Sequence, residues 1–303
     1  FFKICLIQIQ MKFLSVPMRY LQEVFKLSVG CIFSAGAVGA YAACLGDQAA
    51  TKSLKVYIVP QLAATQIYTR WSPVLKQVGR EAKQCFELIV PTSIPQFEDD
   101  LNAGKPDFAF MNPYHATMKW RNNQYIPLVA SGDPFFGILT VQKDSKLNNI
   151  KELGGSRIAF PAPNAFAASL LIRATLAKNG VSFEPVYVKT HSNVYRSVIR
   201  GDVSAGGGIQ ATLMAESPEL KAELRTLMET KRYTSHPFSA NARVSEQVRK
   251  SVQSALLGMD QTIEGSELLK GAQLAKIMAV SYKTNYQPLE GLRLEKFVVR
   301  SAD

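Results

Sequence analysis

Residues 160–169 read Phe-Pro-Ala-Pro-Asn-Ala-Phe-Ala-Ala-Ser. Two prolines turn the chain after an apolar run, and small residues then open a helix. The first amides of a helix have no intrahelical acceptor and carry partial positive charge, so an anion can sit on them. Asn164 is a good N-cap, which puts the helix start at Asn164 or Ala165. Ala165, Ala167 and Ala168 leave the amides uncovered, and Phe160 and Phe166 are placed to wall them. An ordinary capped helix packed on a sheet would carry the same signature.

Three other short stretches hold polar groups directly after apolar runs. They are Pro60-Gln61, with Tyr68 further on; Phe110-Met111-Asn112-Pro113-Tyr114-His115; and Thr190-His191-Ser192-Asn193. Tyrosine hydroxyl, imidazole and carboxamide are suitable donors to an oxyanion. His115, His191 and His236 with Tyr114 could in principle ligate a metal, but their spacing is not diagnostic. Phosphate-loop, zincin and dinucleotide motifs are absent, and Gly-Asp-Val-Ser-Ala-Gly at 201–206 has the wrong spacing for a nucleophile elbow. No motif here calls for a cofactor or for enzyme chemistry.

These residues must be positioned by alternating strands and helices. Strands are expected at 54–60, 86–90, 107–111, 126–130 and 137–141, and helices at 68–78, 94–103 and 114–121. The rhythm restarts with a helical turn at 150–153, a strand at 157–160 and a helix at 166–178. Strands at 185–188 and 203–206 follow, with a helix at 194–200 between them. Helices are expected at 209–215 and 217–223, and the chain beyond 237 reads as mainly helical (245–259, 266–272 and about 288–297). The pattern predicts two α/β lobes with mainly parallel sheets and a ligand cleft at strand C-terminal ends. A single α/β domain is the competing reading.

A chain of 303 residues suits two domains of ordinary size. The 35 Lys and Arg outnumber the 24 Asp and Glu, a net charge of +11 that favours small anions or anionic surfaces, although the basic residues are scattered. No nucleic-acid-binding motif is present. A start at Met11 or Met18 would place Arg19 and Lys26 before the apolar run Leu27 to Val38 and an Ala40-Tyr41-Ala42 cleavage signal. That is the pattern of a secretory signal peptide over residues 1–42, with a transmembrane anchor as the alternative. Cys44 sits in a poor lipoprotein box, so a lipid anchor there is a second possibility. Cys85 could pair with Cys44 in an oxidising compartment, but the expectation is a free thiol, surface or semi-buried.

The segments SLKVYIVPQ, PTSIPQFEDDLNAGKPDFAFMNPYHA, KDSKLNNIKELGGSRIAFPAPNAFAASL and VKTHSNVYRSVIRGDVSAGGG, in this order, resemble the PhnD-like periplasmic solute-binding proteins of phosphate, phosphite and phosphonate ABC importers. The resemblance runs from about residue 53 to 260. It implies a two-lobed type II binding-protein fold, with lobe I from 51–137 and 236–303 and lobe II from 138–235. Phosphonate-binding members carry a Ser-Thr-Ser where this chain has Ala165-Phe166-Ala167. Their cleft histidine matches His191, and the acidic residue after it is Ser192 here. Their later aspartate has no counterpart in Ser-His-Pro-Phe-Ser-Ala-Asn, and an aromatic at the end of the third strand falls at Met111. So few carboxylates suit a ligand that brings no proton, and the phenyl surface suits one with an apolar part. The implied cradle has Gln61, Tyr68, Asn112, Tyr114 and His115 on one side and Asn164, Ala165, Phe166 and Ala167 on the other, with His191 and Ser192 near the hinge. The partners would be an ABC permease and ATPase, or alternatively a membrane sensor kinase, engaged by a periplasmic monomer.

Overall fold

Helix 64–82 shows how the sequence builds its first layer. Ile67, Trp71, Val74, Leu75, Val78 and Ala82 fall on one face and are all buried, the stripe that a 3.6-residue period produces. Each large aliphatic among them contributes roughly 1.5–3 kcal/mol by burial. Trp71 packs against Phe110 and Phe238 with ring centroids 4.9 and 5.9 Å apart. The computed structural model describes residues 44–121 and 124–299. The signal-peptide reading of residues 1–42 lies outside the described residues. Among those residues no helix is long and apolar enough to cross a membrane.

Twelve strands are described: β1 (Leu45–Gly46), β2 (Ser53–Ile58), β3 (Cys85–Ile89), β4 (Phe108–Phe110), β5 (Tyr125–Ser131), β6 (Gly137–Gln142), β7 (Arg157–Phe160), β8 (Glu184–Tyr187), β9 (Ala205–Ile209), β10 (Leu224–Glu229), β11 (Pro237–Asn241) and β12 (Ile277–Ala279). They form a seven-stranded sheet, β1-β3-β2-β4-β11-β5-β12, and a five-stranded sheet, β10-β6-β9-β7-β8. Helices flank both. The expectation of mainly parallel sheets needs correction. Parallel pairing is confined to β3-β2-β4 and to β8-β7-β9. The remaining pairs are antiparallel. The cause is chain direction: helical crossovers join parallel neighbours, whereas β11 returns from the other sheet and enters between β4 and β5 head to tail.

The chain crosses between the sheets at 132–136 and 230–236. The crossings pair with each other at Phe135 and Tyr233, whose amides and carbonyls exchange bonds of 3.2 and 2.9 Å. This paired ribbon is the hinge-like link.

Cys44 and Cys85 form a disulfide with Cα atoms 5.3 Å apart, so Cys85 is not the free thiol expected. The bridge fastens β1 beside β3, and a sulfur held in a disulfide cannot carry a lipid thioether. The chain after 237 is also less helical than expected, because it supplies β11 and β12.

Candidate functional site

The helix of residue 166 begins on an unusual floor. β9 reads Ala-Gly-Gly-Gly-Ile and is buried throughout. A Cβ at Gly207 would collide with the Ala168 carbonyl and the Phe160 ring, and one at Gly137 with the Ala167 carbonyl. Glycine at these two places lets the helix start lie directly on the sheet. Its first turns are a π-helix, Phe166–Leu171, continued by an α-helix, Ile172–Lys178. Ala165 is the N-cap and makes no side-chain cap bond. Intrahelical bonding starts at Ser169 and Leu170, both donating to Ala165 O at 2.9 and 3.0 Å. The amides of Phe166, Ala167 and Ala168 precede that first bond, as expected for a bare helix start.

Ala165, Phe166, Ala167 and Ala168 line a cavity of about 30 Å³ between the two sheets. From the first sheet come Gln61, just past β2; Asn112, just past β4; and His236, just before β11. From the second come Ala165 to Ala168, Lys189 and His191, with Phe135 from the crossing. Among the described residues no carboxylate lines it. A second space of about 220 Å³ lies behind the wall that Gln61, Phe135, Ile209 and His236 share with it.

Six of the residues singled out in the sequence meet here: Gln61, Asn112, Ala165, Phe166, Ala167 and His191. The Asn112 side chain also donates to Asn164 O at 3.3 Å, linking the two sheets. The others stand elsewhere. Tyr68 is 44% exposed, and its hydroxyl donates to Leu88 O. Tyr114 is half-buried and packs beside His115, away from the cavity lining. His115 is buried and its Nε2 lies 2.8 Å from Glu98 Oε1. Ser192 turns its hydroxyl to Glu216.

Asn164 is not the N-cap. Its amide donates to Glu98 Oε2 at 3.0 Å, so it serves the rim of the cleft. Burial alone would raise the Glu98 carboxyl. The bonds from His115 and Asn164 and the charge of Lys119 outweigh it and hold Glu98 below the ordinary carboxylate range.

Sequence reasoning named His236 only as a possible metal ligand and passed over Lys189 and Phe135. His236 bonds Gln61 Nε2, lies over Phe110 at 5.4 Å and meets the edge of Phe135 at 4.8 Å. Its signal was the proline that follows it, which opens β11. Burial pushes its imidazole down to about 3, with the charges of His115 and His191 adding to the effect. Burial pushes His191 down to about 4. Both are therefore neutral at pH 7. Lys189 holds a left-handed backbone, φ 76°, at the turn before His191, which brings an ammonium-bearing side chain to the cavity. Among the described residues no cluster of three or more His, Cys, Asp or Glu could hold a metal ion.

Two mixed sheets joined by a paired ribbon, with a small cavity between them at their strand ends, define a type II periplasmic binding-protein fold. The chain belongs to the family of periplasmic substrate-binding proteins of phosphonate ABC transporters, whose sequence pattern it matches over residues 56–286. This is a family of binding proteins and not of enzymes. Among solved structures, PhnD1 from Prochlorococcus marinus, in complex with methylphosphonate, is similar at 17% identity and a TM-score of 0.73, covering 82% of this chain and 99% of that one. XAC2383 from Xanthomonas citri, bound to chloride, matches at 16% identity and a TM-score of 0.72, covering 81% and 99%. A binding-protein component of an ABC phosphonate transporter from Pseudomonas aeruginosa matches at 14% identity and a TM-score of 0.70, covering 80% and 86%.

Proposed function

We propose that this protein captures a small phosphorus oxyanion, such as phosphate, phosphite or a phosphonate, and delivers it to an ABC permease and its ATPase. One observation carries the reading: the helix start at Phe166, Ala167 and Ala168, whose amides precede the first intrahelical bond, lines a cavity at which no carboxylate stands among the described residues. Helix amides of this kind attract an anion, and the missing carboxylates remove the repulsion that would oppose it. Lys189 adds a cationic residue to the lining. We assign 51–137 with 236–303 to one lobe and 138–235 to the other, in a monomer exported by a cleaved segment at 1–42. Closure about the paired crossings is the signal that the membrane partner reads. Presentation of the closed form to a sensor kinase would use the same binding step, and no feature of the site favours it.

Calorimetric titration with phosphate, phosphite, methylphosphonate, aminoethylphosphonate and sulfate tests this. A phosphorus oxyanion at about 100 times its dissociation constant should stabilise the fold by about 2.7 kcal/mol. Lack of binding by all of the phosphorus compounds would sink the reading.

A further inference from the structure

The protons around His191 can be counted. Thr212 Oγ1 lies 2.8 Å from the Tyr195 hydroxyl, 2.9 Å from Ile209 O and 3.2 Å from His191 Nδ1. Each hydroxyl brings one proton. The Tyr195 hydroxyl also lies 3.2 Å from Ile209 O, but the two shortest contacts use both protons: Tyr195 donates to Thr212, and Thr212 donates to Ile209 O. Thr212 then has no proton left for His191 and offers it only a lone pair. Nδ1 must be the donor. A neutral imidazole carries a single N–H, so Nε2 is left as a bare acceptor. His191 lines the cavity, and its Nε2 has no hydrogen-bond partner among the described residues.

The groups facing this ring are few. Lys189 stands two residues before it at the cavity, and His236 lies across the cavity. Tyr195 lies behind Thr212, and Glu216, held by the Ser192 hydroxyl, lies beyond. Burial raises the Tyr195 hydroxyl far above neutrality and lowers both histidines, so none of these three takes a charge near pH 7. Lys189 attracts an anion in any protonation state. His191 Nε2 discriminates, because it meets a bare oxyanion oxygen lone pair to lone pair.

We propose that His191 accepts a hydrogen bond from the ligand, and that the site thereby selects an oxyanion that keeps one proton, a hydrogen phosphonate, hydrogen phosphite or hydrogen phosphate, over fully ionised oxyanions. The proposal rests on the oxyanion reading above. It reverses the sequence-based expectation that a site poor in carboxylates takes a ligand without a proton, because a neutral histidine of fixed tautomer supplies the acceptor.

Nitrogen-15 NMR of the histidine-labelled, ligand-free protein reads the tautomer directly. The expected result is a protonated Nδ1 and an unprotonated Nε2 at His191. A protonated Nε2 would overturn the proposal. His191→Asn assigns the signals, and where that variant fails to fold, Thr212→Val identifies them by shifting the His191 pair. Calorimetry with methylphosphonate and sulfate from about pH 6 to about pH 9 supplies the second readout. Affinity for methylphosphonate should fall ~10-fold per pH unit once the ligand loses its last proton. Sulfate should bind roughly 5- to 150-fold more weakly than protonated methylphosphonate. Equal affinity across that pH range, or sulfate binding as tightly, would defeat the selection. An Nδ1–H tautomer with no binding of any phosphorus oxyanion would instead overturn the oxyanion reading.

Discussion

Asn164 grips the backbone of Val299 with both ends of its carboxamide. The Val299 amide donates to Asn164 Oδ1 at 3.0 Å, and Asn164 Nδ2 donates to Val299 O at 2.9 Å. The same nitrogen reaches Glu98. One residue, directly before the helix start at Ala165, thus joins the rim of the second sheet to a helix of the first and to the last described residue of the chain.

Asn164→Ala should therefore cost about 2–4 kcal/mol of stability, since three hydrogen bonds go and the half-buried Glu98 loses a donor. Urea unfolding measures it. A loss below about 0.5 kcal/mol would show that the clasp adds nothing.

Acid should destabilise the fold before its carboxylates titrate. His191 and His236 ordinarily ionise near 6.5, and in the fold they stay neutral down to about 4 and about 3. Below pH 6.5 the unfolded chain takes up protons that the fold refuses. Stability therefore rises with pH across this window and is lost as pH falls toward 4, by on the order of a few kcal/mol. His236→Gln should flatten the curve. Identical slopes for the variant and the parent in urea midpoint against pH would contradict this.

Gly207→Ala should displace the helix start. The added methyl meets the Ala168 carbonyl and the Phe160 ring, and overpacking of this kind costs about 1–3 kcal/mol. Because the displaced atoms carry the uncovered amides, ligand affinity should fall further than stability does. Calorimetry and melting on the same sample separate the two effects, and unchanged affinity would mean that these amides do not hold the ligand.

Breaking the Cys44–Cys85 bridge by Cys85→Ser should lower stability by about 2–4 kcal/mol, as expected for a loop closed across 41 residues. It should leave ligand affinity intact, since neither cysteine lines the cavity. Equal melting temperatures with and without reductant in the parent would refute the estimate.

The α/β alternation up to residue 223 was legible because strong periodic runs ended at glycine or proline. The turn at 150–153 and the strand at 157–160 fall where the sequence put them. β10 to β12 were not legible. β10 reads Leu-Arg-Thr-Leu-Met-Glu, whose residues are good helix formers, and β12 has only three residues. Pairing across the sheet, and not local preference, makes them strands. The same blindness hid His236, whose role depends on β11 lying beside β4. Ser192 and His115 were drawn toward a ligand by their places after apolar runs and by the family resemblance, whereas Glu216 and Glu98, distant in sequence, engage them.

β11 has a consequence for the order of assembly. It lies between β4 and β5, yet its residues 237–241 leave the ribosome only after the whole five-stranded sheet. That sheet is contiguous, from β6 to β10, and can close as soon as its own residues are available. The seven-stranded sheet has a gap at its centre until residue 241 arrives, and its pairing spans more than a hundred residues of intervening chain. Non-local pairing of this kind is slow. Export in extended form, as proposed above, would gain from that delay, because the seven-stranded sheet cannot be completed before residues 237–241 have been made.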